Sequence, residues 1–101
     1  MNSIISDKQE ELRSLCVEHK LKFMYVFGSA ASGKLTELSD IDFLISFKEI
    51  SIEEYTEFYF NLHYKLQELF GRPVDLITEN SLSNPYFKHS VENTKKLIYA
   101  A

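Results

Sequence analysis

Three short apolar runs mark the chain: Phe23–Phe27, Ile41–Phe47 and Val74–Ile77. Each has few polar breaks, the pattern of strands covered on both faces. Between them the apolar spacing turns helical. Ser6 with Gln9 reads as a capping box opening a helix to about Glu18, with Leu12, Leu15 and Cys16 on its inner face. His19 is expected at the exposed end of that helix, where the dipole favours it. Ser51 with Glu54 opens a long helix that Gly71 closes and Pro73 prevents from continuing. At about 100° per residue, Ile52, Tyr55, Phe58, Tyr59, Leu62, Leu66, Leu69 and Phe70 share its core face, with the Tyr55 and Tyr59 hydroxyls at the rim. Phe60 and Tyr64 fall on the other side, beside Glu53 and Glu57. Ser29–Gly33 fits one helical turn and 34–38 a loop. Asn84-Pro85 caps a short helix to about Asn93, and Lys96–Tyr99 close as an edge strand. Helices and strands alternate without a linker, which places the chain in the α/β class.

Length and charge narrow the picture. A chain of 101 residues fits one domain, residues 1–101, burying roughly two thirds of its unfolded surface. A net charge of −4 without any lysine or arginine block disfavours a protein that grips nucleic acid directly. One cysteine, Cys16, allows no intramolecular disulfide and fits a reducing cytoplasm; within its apolar stripe it is expected as a packed core thiol. The N-terminal MNSIISDKQEE lacks the basic start and apolar run of a signal peptide, and no segment is long enough to cross a bilayer.

The chemistry concentrates between the first two strands. The chain turns at Gly28-Ser29, passes Gly33, and enters the second strand with Asp40 and Asp42. Residues two apart on a strand share a face, so these carboxylates converge. Hard oxygen ligands suit Mg²⁺ or Mn²⁺, which also hold substrate phosphates. The glycine–serine turn offers amides and a hydroxyl to such phosphates. Gly28 to Lys34 also fits the first positions of a P-loop, but Leu35 stands where serine or threonine must hold Mg²⁺. An isolated Asp-x-Asp is ordinarily a solvated turn. Here Asp75, second in the third strand, offers a third carboxylate that could face the pair if the strands are neighbours.

Gly28-Ser29, ten residues, then Asp40-Ile41-Asp42 resembles the signature of the polymerase-beta-like nucleotidyltransferases, and most closely the minimal nucleotidyltransferases. Ser39 precedes the first aspartate as in that family's Ser-Asp-Ile-Asp run. Gly71-Arg72-Pro73-Val74-Asp75-Leu76-Ile77 is similar to its third-carboxylate strand, and Leu97-Ile98-Tyr99 to its ending. The resemblance implies a small mixed sheet of three to four strands flanked by helices, in the order α-β-(short α)-β-α-β-α-β. It implies Asp40, Asp42 and Asp75 as metal-binding and catalytic residues, two Mg²⁺ ions (or Mn²⁺), and Gly28, Ser29, Ser39 and Lys34 at the nucleotide. It further implies ATP as donor of AMP to a tyrosine hydroxyl of a partner HEPN toxin, with this chain as antitoxin. Many minimal members carry an arginine where Ser32 stands; Lys34 or Arg72 are the candidates to supply that charge. Two other readings stand beside this one: a binding-only antitoxin that occludes its partner, and a small-molecule nucleotidyltransferase with a helical subunit. Phe60 and Tyr64 are the candidate partner surface, for a homodimer or for another protein.

Overall fold

Strands β1 (Leu21–Phe27), β2 (Ile41–Phe47), β3 (Val74–Thr78) and β4 (Lys96–Ala100) form one sheet in the order β3-β2-β1-β4. β1 runs antiparallel to β2 and β4, whereas β3 runs parallel to β2. These relations come from a computed structural model that describes residues 3–36 and 38–101; Met1, Asn2 and Glu37, the last within the loop expected over 34–38, lie outside the described residues. The parallel β2–β3 pair requires a crossover, and helix α4 (Ile52–Phe70) supplies it. Helices α1 (Ser3–Ser6), α2 (Gln9–Glu18), α3 (Ser29–Ser32) and α5 (Pro85–Thr94) complete the order, with a 3-10 turn at Glu79–Ser81 that the sequence reading did not anticipate.

Side-chain alternation divides the sheet into two faces. Met24 and Val26, Ile41, Phe43 and Ile45, and Val74 and Leu76 bury against Leu12 and Cys16 of α2 and Leu62, Leu66 and Phe70 of α4. The other face is more thinly covered: Phe27 and Leu44 meet Val91 of α5, flanked by Phe23, Tyr25 and Ile77. The Cys16 thiol sits 3.7 Å from the Met24 sulfur, and burial pushes it up to about 12, so it is the packed core thiol expected.

Helix ends explain both the agreements and the corrections. Ser51 Oγ accepts the Glu54 N–H at 3.1 Å, and Gly71 closes α4 in the left-handed conformation at φ 64°. Ser51→Ala should therefore cost about 1 kcal/mol, read as a drop of roughly 4–8 °C in a thermal melt. Asn84 caps α5 by accepting from the Tyr86 and Phe87 amides.

Ser6, by contrast, ends α1 rather than capping α2, whose flanking residue Lys8 makes no side-chain cap. The break lets Ile5 reach the core, where it is fully buried. His19 is buried, not exposed. Its Nδ1 meets the Leu15 carbonyl at 2.7 Å and its Nε2 meets Asn61 Nδ2 at 2.7 Å, with Phe58 edge-on at 5.8 Å. A proton on Nδ1 satisfies both contacts, which is what burial of an imidazole demands. β1 begins at Leu21, two residues earlier than its apolar run suggests, because Lys20 at φ 55° turns the chain and Leu21 is buried. Ile52 is 83% exposed: it opens α4 before the helix reaches the sheet, and the core stripe starts at Tyr55, whose ring lies 5.0 Å from Phe47.

Candidate active site

β1 ends at Phe27, directly opposite Asp42 on β2. On the other side of Asp42, the parallel register sets Asp75 of β3 beside it. Paired residues on adjacent strands point to the same face, so the two carboxyl groups stand side by side at one end of the sheet. They are in hydrogen-bonding contact. Asp42 is half-buried and Asp75 exposed. Burial, then the charge and hydrogen bond of Asp75, then the charge of Asp40, push the Asp42 carboxyl up to about 6. Burial and like charge act in the same direction here, both disfavouring the ionised form.

Asp40 lies exposed at the end of the preceding loop. That loop is braced from β3's approach: Arg72 Nη1 donates to the Thr36 carbonyl at 2.9 Å and the Ser39 carbonyl at 3.2 Å. Ser39 Oγ accepts the Thr36 N–H at 3.1 Å and contacts its hydroxyl at 2.9 Å. Ser39 and Arg72 thus hold the loop that delivers Asp40; their side chains are engaged in the protein itself.

Gly28 forms the wall opposite Asp42. Its φ of 67° disfavours any side chain, and a Cβ there would stand 2.7 Å from Asp42 Oδ2. Its N–H donates to Thr94 Oγ1 at 3.2 Å, so this amide, expected to be available to phosphate, is engaged by α5. The first helical bond of α3 runs from Ser32 N to Gly28 O; helix geometry leaves the amides of Ser29, Ala30 and Ala31 without intrahelical partners. Gly33 ends that turn at φ 78°. Lys34 is exposed nearby, and Ser32 Oγ turns back onto the Ser29 carbonyl at 3.4 Å.

Residues 10–101 match the family described as Polymerase beta, Nucleotidyltransferase. The chain belongs to that family. A Methanocaldococcus jannaschii relative, named as a candidate protein adenylyltransferase, is 42% identical over 82 residues, covering 81% of this chain and 79% of its own. A solved candidate minimal nucleotidyltransferase superposes with a TM-score of 0.69 at 28% identity, covering 95% of both chains. A chain from a solved complex of a tri-AMPylated Shewanella oneidensis HEPN toxin with an MNT antitoxin shares the fold at 19% identity. Its TM-score is 0.65, over 96% of this chain and 73% of that one.

The nucleotidyltransferase fold therefore brings together Asp42, Asp75 and the Gly28-Ser29 turn, with Asp40 next to them. It does not preassemble a three-carboxylate metal cluster among the described residues. The donor set nonetheless suits a hard divalent cation: oxygens only, with Gly28 leaving the Asp42 carboxylate room that a Cβ would fill. A separate groove of about 630 Å³ between α2 and α4 contains none of these residues. Thr94, which tethers Gly28, was not foreseen; no local pattern announces a contact across 66 positions.

Proposed function

We propose that this chain is a metal-dependent nucleotidyltransferase that moves AMP from ATP to a hydroxyl, a tyrosine of a HEPN-type partner being the acceptor, and thereby acts as an antitoxin. The observation that carries the reading is the register of Asp42 with Asp75 beside the Gly28 wall. Asp40 and Asp42 would hold one divalent ion, and with Asp75 a second. Bound there, the ions would neutralise phosphate charge and ease ionisation of the acceptor hydroxyl. Asp75, the most open of the strand-borne pair, would take the proton from that hydroxyl. The acceptor oxygen bonds to the α-phosphorus, the bond to the β-phosphate oxygen breaks, and pyrophosphate leaves. Ser29 Oγ, the amides opening α3 and the Lys34 ammonium would bind the departing phosphates.

A protein acceptor is favoured by what the chain lacks and what it displays. Its net charge of −4 disfavours a nucleic-acid acceptor gripped by this chain alone. Along α4, Phe60 and Tyr64 are 65% and 64% exposed, and Glu53, Glu57 and Glu68 continue the same exposed stripe. Aromatic anchors of this kind dominate many interfaces. The Shewanella complex, whose HEPN toxin carries AMP, supports a toxin as the partner. AMP on such a toxin would add bulk and negative charge to the modified surface.

Phe60→Ala with Tyr64→Ala should weaken the complex at least about tenfold while leaving the melting temperature near wild type. Unchanged affinity by titration calorimetry would remove the stripe from the interface. Occlusion without chemistry is the second reading, favoured by Ser32 in place of the arginine and by its hydroxyl being directed at Ser29. Chelation separates the two: removing divalent ions should stop transfer, and adding Mg²⁺ or Mn²⁺ should restore it. A partner silenced equally well in chelator, without modification, would favour occlusion.

A further inference from the structure

β3 is an edge strand, so among the described residues one side of its main chain has no strand beside it. The Ile41 N–H to Pro73 carbonyl bond and the Asp42–Asp75 register turn Pro73 and Asp75 toward β2. By alternation, Val74 and Leu76 turn their main-chain groups outward. Three polar side chains of α4 meet these groups. Gln67 Oε1 accepts the Val74 N–H at 3.2 Å, His63 Nε2 donates to the Val74 carbonyl at 2.7 Å, and the Tyr59 hydroxyl donates to the Leu76 carbonyl. They follow one another at intervals of four along the helix, with the Tyr59 and His63 rings stacked at 6.4 Å.

We propose that Tyr59, His63 and Gln67 are positioning residues, a side-chain ladder that stands in for a fifth strand and fixes Asp75 by clamping the residues on either side of it. A short parallel edge strand has few main-chain bonds of its own, and a one-residue slip would send Asp75 to the opposite face. The ladder opposes that slip while covering an edge that could otherwise pair with another chain.

The kinetic part of the test rests on the transferase reading; the spectroscopic part does not. In Tyr59→Phe, Gln67→Met and the pair, kcat for AMP transfer should fall about tenfold or more, since small misplacements of a reacting group cost that much. KM for ATP should move by less than about threefold, because the phosphate-binding turn is untouched. His63→Leu should behave likewise, and His63→Gln, which keeps a donor, should recover most of the rate. In parallel, Val74 amide exchange should accelerate in Gln67→Met and the Asp75 amide resonance should shift. Unchanged kcat, or a rate that falls only in step with melting temperature and is not rescued by His63→Gln, overturns the proposal. If wild type transfers nothing, the transferase reading fails. The ladder is then decided by NMR alone: it stands if Val74 and Asp75 respond, and falls if neither does.

Discussion

Asp42→Asn is expected to lower nucleotidyl transfer by roughly three orders of magnitude and, in the absence of metal, to make the domain more stable at neutral pH. The rate effect follows from removing the one carboxylate that touches both Asp75 and the Gly28 wall. Several kcal/mol of electrostatic stabilisation correspond to about a thousandfold in rate. The stability effect has the opposite sign. Folding raises the Asp42 carboxyl from 3.8 to about 6, so the folded state holds a proton that the unfolded chain has released. Stability is gained below the unfolded value and is lost as pH rises through about 6. Two pKa units correspond nominally to ~3 kcal/mol, reduced to roughly 1 kcal/mol because the group is half exposed and solvent screens it. Asparagine keeps a hydrogen bond to Asp75 without the charge. Melts of the metal-free variant should be a few degrees higher at pH 7.5 and nearly flat between pH 4 and 7, where wild type declines. A variant that melts lower than wild type at pH 7.5 would show that Asp42 is not the strained member of the pair.

Gly28→Ala should reduce transfer about a hundredfold and lower the stability of the domain as well. Two separate costs meet there. With φ 67° and ψ −142° the backbone lies beyond the left-handed helical well, in a region that essentially only glycine adopts, at a cost to an L-residue of about 1–3 kcal/mol. The added Cβ would also stand 2.7 Å from Asp42 Oδ2, closer than the atoms can pack, so the carboxylate must swing away. A displacement of about 1 Å can cost a hundredfold in rate. Gly33→Ala is the control: its φ is 78°, but nothing lies within 4 Å of a Cβ there. Both variants should lose stability, Gly28→Ala the more because of its backbone conformation and the Asp42 contact, and only Gly28→Ala should lose most of its rate. Equal rates in the two would mean that the Gly28–Asp42 contact is irrelevant to turnover.

Much of this was legible because the decisive signals are local. Ser51 before Glu54, Gly71 before Pro73, and Asn84 before Pro85 mark helix ends by hydrogen-bonding chemistry within three residues, and each end lies where those residues place it. Asp42 and Asp75 were recognisable as second positions of apolar runs, but their adjacency depended on β2 and β3 being parallel neighbours, a long-range fact. The misreading of His19 has the same origin. His19 is buried because Asn61, 42 residues away, offers its ring a partner. Arg72 braces the loop through carbonyls 33 and 36 residues away, which no local pattern shows. The α4 ladder was invisible for a further reason: Tyr59, His63 and Gln67 read as ordinary amphipathic filler until the open edge of β3 is set against them.

The most direct test is the intact mass of a HEPN-type partner produced together with this chain, wild type beside Asp42→Asn. A partner that gains one or more AMP groups with wild type and none with the variant is the predicted result. A partner that is held and silenced by both, with its mass unchanged, would contradict nucleotidyl transfer and leave occlusion as the mode of inhibition.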